Sequence, residues 1–210
     1  MTTFALFQDA AFHARQFYGK ANRVLFSKPR PEGDVVRLHL GCGPIDHPGF
    51  MNIDGIDRLH VHFVQSLTPL DRFPDASVAF ISTSHTLEHF PRAQTVSILK
   101  EWGRALAPGG KLCVSVPDFD RILEIYQLSG GDADAILPPL FGGQDYPFNF
   151  HHTTFNKASL TRAFKETGFS KVDGWVHGSD AYHNLPDWSG RSIKVHDNAV
   201  PISLNLETTK

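Results

Sequence analysis

The chain has 210 residues, enough for one α/β domain with a complete hydrophobic core and too few for two such domains and a linker. Its 20 Lys and Arg against 22 Asp and Glu leave a net charge of −2, so no global field draws it to nucleic acid, which is not an expected partner. Two cysteines, Cys42 and Cys113, make neither a disulfide framework nor a paired metal-ligand motif, and no apolar run approaches the roughly 18 residues of a membrane span. With no leader-like N-terminal pattern either, the expectation is a soluble, cytoplasmic protein.

From Phe4 to Leu25 apolar residues recur at alternating steps of three and four, which predicts an amphipathic helix ended by Pro29 and Pro31. Residues 1–30 are expected to pack on or beside a domain spanning 31–210. Between Ala10 and Arg30 the charges are Arg15, Lys20, Arg23, Lys28 and Arg30 with no acid among them, a bias suited to weak peripheral contact with an anionic membrane, although a solvated face is the simpler reading. Val35 to Leu40 reads as a strand entering a Gly-Cys-Gly-Pro turn. A second strand covers Phe50 to Ile53 and ends at Asp54, and another apolar stretch lies at Val61 to Val64. Ser77 to Ser82 is a further strand, followed by a helix whose apolar stripe is Val96, Leu99, Trp102 and Leu106. Pro108-Gly109-Gly110 turns the chain into a strand from Lys111 to Val116. Strands alternating with helices predict an open, mostly parallel sheet with helices on both faces.

After a short helix at 119–128, the segment 129–155 is irregular and rich in Gly, Pro and aromatic residues. Its Phe141, Tyr146, Phe148 and Phe150 beside His151 and His152 argue against disorder and for a substrate-side lid. Asn156 is placed to cap the next helix, Gly168 ends it, and a strand follows near Ser170 to Val176. Ile202, Leu204 and Leu206 alternate with polar residues as the closing strand.

In a parallel sheet the ligand crevice opens beyond the carboxyl ends of the strands. Gly41 and Gly43 would let a ligand approach the backbone there, and Asp54 stands where a carboxylate accepts both hydroxyls of a ribose. The run LHLGCGPIDHPGFMNID at 38–54 resembles motif I and its acidic partner in the class I S-adenosylmethionine-dependent methyltransferases. FPDASVAFISTSHTLEHF and LKEWGRALAPGGKLCVSVPD resemble the later strand-helix-strand portion of that superfamily, in the manner of its small methyltransferase-11-like domains. GFSKV and PISLNLETTK are similar to its last helix-to-strand turn and closing strand.

The resemblance implies a Rossmann-like three-layer sandwich with a seven-stranded sheet whose last strand is antiparallel, and S-adenosyl-L-methionine as cofactor. It implies a cofactor site at Gly41, Cys42, Gly43, Pro44, Asp54, Gln65, Ser66, Leu67 and His85. Gln65 and Ser66 stand where the family often has an acid for the adenine amine. Only Pro44 to Gly49 separate the glycine turn from the next strand. That is too short for the crossover helix whose N-terminus a dinucleotide's pyrophosphate needs, which disfavours NAD.

His85-Thr86-Leu87-Glu88-His89 satisfies H-x-x-E-H, the pattern of an inverted zinc-peptidase motif. Pro91 and the strand upstream argue against the helix this motif requires, so a zinc hydrolase is the lesser reading and no metal ligand is assigned. A catalytically silent binder of the same cofactor is the other alternative. At a strand's carboxyl end His85 could take the acceptor's proton, with His151 and His152 as candidates from the lid. His85 could equally orient a loop, and Asp118 could merely start a helix. The expected reaction is in-line transfer of a methyl group to a small-molecule or glycan-like acceptor.

Overall fold

The computed structural model describes residues 13–14 and 35–210, so the N-terminal helix expected over 4–25 falls, but for the helical pair His13 and Ala14, outside the described residues. Seven strands form the main sheet: β1 (Arg37–Leu40), β2 (Met51–Asp54), β3 (Phe63–Val64), β4 (Val78–Ser84), β5 (Leu106–Pro117), β6 (Val172–Gly174) and, last in the chain, β9 (Ser203–Thr209). Their order is β3-β2-β1-β4-β5-β9-β6. β1 to β5 pair in parallel, and β9 runs antiparallel between β5 and β6. This is the Rossmann-like arrangement expected, closing strand included. A separate hairpin, β7 (Ser192–Val195) and β8 (Asn198–Pro201), lies between β6 and β9 in sequence.

Alternation along the strands sends Leu38, Leu40, Ile81, Leu112, Val114, Val116, Leu204 and Leu206 to one face, all fully or almost fully buried. That face meets α1 (Thr95–Ala105) and α4 (Lys157–Glu166) through Leu99, Trp102, Leu160 and Phe164. In α1 the buried positions are Thr95, Ile98, Leu99, Trp102 and Ala105, so Ile98 rather than Val96 faces the core. The capping box at α4 is formed by Asn156 and Ser159, and Gly168 takes φ +96 just beyond the helix, as its place in the sequence predicts. The expected turn at Pro108-Gly109-Gly110 is instead absorbed into β5, which starts at Leu106 and shifts register against β4 between Val78 and Phe80.

The long connection from β3 to β4 contains no helix; α1 holds it by side chains. Trp102 donates its indole N–H to the Leu67 carbonyl at 2.9 Å, Glu101 accepts from the Leu70 amide at 2.7 Å, and Arg104 reaches the Phe73 carbonyl at 3.0 Å. The opposite face of the sheet carries Phe80 and Cys113 and is covered by residues 175–190, where Tyr182 packs on Phe80 and His183 reaches Cys113. α2 (Phe119–Leu128) packs on the β7–β8 hairpin through Ile122, Ile125, Val195 and Val200. The segment 129–155 is less irregular than its composition predicts, since it holds a 3₁₀ turn at Ala133–Ala135 and a short helix, α3 (Leu137–Phe141). No helix among the described residues is long and apolar enough to cross a membrane.

Candidate functional site

The strands β1, β2 and β4 end side by side, and a cavity of about 940 Å³ opens above them. Its floor is the turn Gly41-Cys42-Gly43. Gly41 takes φ +67 and Gly43 φ +52, both in the left-handed region that favours glycine. The two glycines do different work. A Cβ on Gly41 would lie 2.3 Å from Thr86 Oγ1, so its missing side chain makes room for protein; a Cβ on Gly43 would meet nothing within 4 Å, so that position is open to a ligand. Cys42 is buried, and Pro44 lines the cavity beside it.

Asp54 at the end of β2 is tied to this turn. One carboxylate oxygen accepts from the Gly43 amide at 2.7 Å and the other from the Ile56 amide at 2.7 Å. A carboxylate has about four lone-pair sites, so two remain for outside donors such as a vicinal diol. Gln65, Ser66 and Leu67 follow β3 and line the same end. Their oxygens each already accept one bond and keep one lone pair: Gln65 Oε1 accepts from Arg72 Nε at 2.9 Å, while Ser66 Oγ accepts from the Thr68 amide at 3.3 Å and donates to the Thr68 carbonyl at 2.5 Å. An amine arriving here would share oxygens already oriented by Arg72 and Thr68, a point the sequence does not reveal.

The five residues of H-x-x-E-H do not form one helix. β4 ends at Ser84, His85 takes φ +49, and only Leu87–His89 coil, as a 3₁₀ turn. The ring of His85 is tied through one nitrogen and lies near Glu88 with the other. Ser203 Oγ donates to the Trp188 carbonyl at 2.7 Å, so its single proton is used and it must accept from His85 Nε2 at 2.7 Å. Nδ1 therefore holds the lone pair and faces Glu88 Oε1 at 3.4 Å. Burial pushes the Glu88 carboxyl up to about 8 and His85 down to about 3, so at neutral pH the first is mostly an acid and the second a neutral imidazole.

His151 from the 129–155 segment approaches the same carboxyl from the other side, its Nε2 4.0 Å from Glu88 Oε1. Its Nδ1–H donates to the Pro139 carbonyl at 3.1 Å, leaving Nε2 as an acceptor, and burial lowers it to about 4. His89 repeats the pattern: its Nδ1–H donates to the Phe150 carbonyl at 3.1 Å, and its ring meets His151 edge-on at 4.9 Å. His152 contributes its backbone amide to the Glu88 carbonyl at 2.8 Å, while its side chain is exposed at the rim. Glu88, His89 and His151 bring donor atoms near one another, but His151 Nε2 and Glu88 Oε1 are 4.0 Å apart, wider than the roughly 3.3–3.6 Å ligand separations of a tetrahedral zinc site. Asp118 caps α2, accepting from the Asp120 amide, as the simpler reading of Pro-Asp expects.

Sequence reasoning missed Trp188 and Arg191, which line the cavity from beyond β6, with the guanidinium 4.8 Å over the indole. It also considered His89 only as a zinc ligand, though its place in the same short motif was the available signal.

A family model for the methyltransferase domain matches residues 34–173. No curated protein matches the chain. Among solved structures, a SAM-dependent methyltransferase from Archaeoglobus fulgidus superposes with a TM-score of 0.53 at 13% identity, over 100% of both chains. A SAM-dependent methyltransferase from Methanosarcina mazei gives 0.55 at 16% identity, over 86% of this chain and 94% of its own. The 1,6-didemethyltoxoflavin-N1-methyltransferase of Burkholderia thailandensis, solved with 1,6-didemethyltoxoflavin and S-adenosylhomocysteine, gives 0.55 at 12% identity, over 96% and 80%. At these identities the superpositions show a shared fold.

Proposed function

From the premise that this chain belongs to the methyltransferase-domain family, we propose that it moves a methyl group from S-adenosylmethionine to a small-molecule or sugar-like acceptor held under the 129–155 segment. The observation that carries this reading is the clamp at the glycine turn. Gly43 is open to a ligand, and Asp54 is oriented by two backbone amides with lone pairs to spare for a ribose. Among the described residues no helix lies between the turn and β2, which suits an adenosyl sulfonium and not a pyrophosphate.

When bound, the sulfonium supplies an already activated methyl group. The protein's part is to align the acceptor and exclude water, which can be worth on the order of 7–11 kcal/mol in favourable cases. Burial keeps His85 and His151 neutral, so the methyl donor is not opposed by imidazolium charge. We assign proton removal to His151 in preference to His85, because His151 comes from the 129–155 segment over the acceptor and holds its lone pair on Nε2 at 4.0 Å from Glu88, whereas His85 is tied to Ser203 through Nε2 and its Nδ1 lies closer to Glu88, at 3.4 Å. An oxygen or nitrogen becomes far more acidic as it gains a methyl group, so an imidazole lowered to about 4 still suffices as the acceptor of its proton. His85 then acts as a positioning residue that links β4 to Ser203 on β9.

Trp188, Phe148 and Phe150 are exposed aromatic side chains that line the cavity, and stacking on aromatic rings suits the apolar side of a sugar or a planar small molecule. The test is a screen with radiolabelled donor against free sugars, nucleotide sugars and small aromatic alcohols. The expected result is label transferred to a member of this panel, with Trp188→Ala raising its KM about 10-fold and leaving donor affinity unchanged. Donor binding without transfer to any acceptor points instead to a silent binder.

A further inference from the structure

On the far face of the sheet from α1 and α4 lies a second cluster of polar side chains, outside the cavity. Cys113 on β5 and Glu207 on β9 are direct register partners, so their side chains leave the sheet together on one face. His183, from the 175–190 segment, closes over them. Cys113 Sγ and His183 Nε2 are 3.4 Å apart, Cys113 Sγ and Glu207 Oε2 3.6 Å, and His183 Nε2 and Glu207 Oε2 3.6 Å. Cys113 is 2% and His183 7% exposed, while Glu207 at 20% opens the cluster to solvent on one side.

The orientation of the imidazole is fixed from behind. Asp180 Oδ2 lies 3.0 Å from His183 Nδ1, and Asp180 Oδ1 accepts from the His183 amide at 3.0 Å. Trp175 stacks on the ring with centroids 4.5 Å apart. A carboxylate facing Nδ1 keeps the proton there, which leaves the Nε2 lone pair aimed at a thiol and a second carboxylate. Lys111 Nζ sits 3.3 Å from Glu207 Oε1, so the other oxygen is the one turned to the cluster. Three donor atoms thus converge with a single thiol proton among them.

Zinc bonds of about 2.3 Å to sulfur and about 2.0–2.2 Å to nitrogen and oxygen place tetrahedral ligands roughly 3.3–3.6 Å apart, which this triangle matches on all three edges. We propose that Cys113 Sγ, His183 Nε2 and Glu207 Oε2 bind one Zn²⁺ ion, with water as the fourth ligand and Asp180 as the positioning residue behind the imidazole. Binding releases the thiol proton to solvent and forms a zinc–thiolate bond. A soft thiolate beside an imidazole selects zinc over magnesium or calcium. The ion would staple the 175–190 segment to β5 and β9. Three residues farther along, Pro186 to Trp188 wall the cavity, so the staple fixes one side of the acceptor end. The sequence hides the site because its ligands are scattered over three positions that only sheet register and one loop bring together.

The test uses the full chain, stripped by dialysis against a chelator and titrated with Zn²⁺ or Co²⁺. Uptake of one equivalent is expected, with a Co²⁺–thiolate charge-transfer band that Cys113→Ser abolishes and Cys42→Ser leaves intact. Asp180→Asn should weaken Zn²⁺ binding about 10- to 100-fold, with the charge-transfer band kept at saturation. On the wild-type chain alone, Zn²⁺ should raise Tm and protect Cys113, but not Cys42, from alkylation. Failure of the folded wild-type chain to take up stoichiometric Zn²⁺ overturns the proposal, as does a charge-transfer band that survives Cys113→Ser. Neither result touches the methyl-transfer reading, which rests on other residues.

Discussion

The two ends of the cavity are built differently. At the proposed donor end Gly41, Gly43 and Asp54 come from one short stretch joining adjacent strands, and the contacts run through backbone amides fixed by sheet register. At the acceptor end the wall is assembled from side chains of the 129–155 segment and of residues beyond β6, held by carbonyl-to-ring hydrogen bonds and aromatic contacts. On the proposed function, the first design tolerates little change and serves one ligand. The second can be rebuilt residue by residue, which is how one fold serves many acceptors.

That contrast breaks most visibly at Gly41. Gly41→Val forces a side chain into Thr86 at a positive φ, at a combined cost of about 2–5 kcal/mol for backbone strain and overpacking. Calorimetry should then show S-adenosylhomocysteine affinity reduced by about 100-fold or more, whatever acceptor is used. Unchanged affinity in this variant means the turn is not the donor's floor.

At the acceptor end the expected losses are in turnover. His151→Ala should lower kcat about 100-fold with donor affinity unchanged, the lower range for a positioned proton acceptor. His85→Ala should lower it less and should shift Tm as well, because His85 bridges two strands. If His85→Ala has the larger effect on kcat and none on Tm, the roles of the two imidazoles are reversed.

The smallest effect concerns Glu88 and is read through stability. Its carboxyl is raised from 4.5 to about 8, so between these values the folded chain holds a proton that the unfolded chain lacks, and stability falls as pH rises. His85, lowered from 6.5 to about 3, and His151, lowered from 6.5 to about 4, act oppositely: the unfolded chain takes up protons below pH 6.5 and stability falls as pH drops. His39 and His47, also lowered from 6.5 to about 4 by burial, add to this acid-side loss, so the wild-type protein should be most stable at about pH 7, where the uptake by the four histidines balances the proton held on Glu88. It should then lose less than about 2–4 °C in Tm per pH unit up to pH 8, since roughly 1 kcal/mol per unit is the limit for one such group. Glu88→Gln should flatten that alkaline decline, and a thermal-shift series across pH will show whether it does.

The same contrast governs what could be read from the residues alone. The parallel strands, the Asn156 cap, the antiparallel closing strand and the Gly41 to Asp54 pairing are local patterns, or pieces of a resemblance that spans most of the chain. The reason for Gly41 was not local: its neighbour Thr86 arrives on another strand's exit. The engagement of Gln65 by Arg72, the closure of His85 by Ser203, and the arrival of Trp188 at the cavity depend on contacts between distant segments, for which periodicity carries no signal. The helix stripe shows the same limit on a smaller scale, since Ile98 displaced Val96 once the packing partner was α4 and a sheet, not an ideal wheel.

The central claim is that Asp54, held by the Gly43 and Ile56 amides, grips the ribose of the methyl donor. Titration of the wild-type chain and of Asp54→Ala with S-adenosylhomocysteine tests it directly. Loss of charge-assisted hydrogen bonds worth about 1.5–3 kcal/mol predicts binding of one equivalent by the wild type and a 10- to 100-fold weaker affinity in the variant. Equal affinity in the two proteins, or no binding by the wild type, contradicts it.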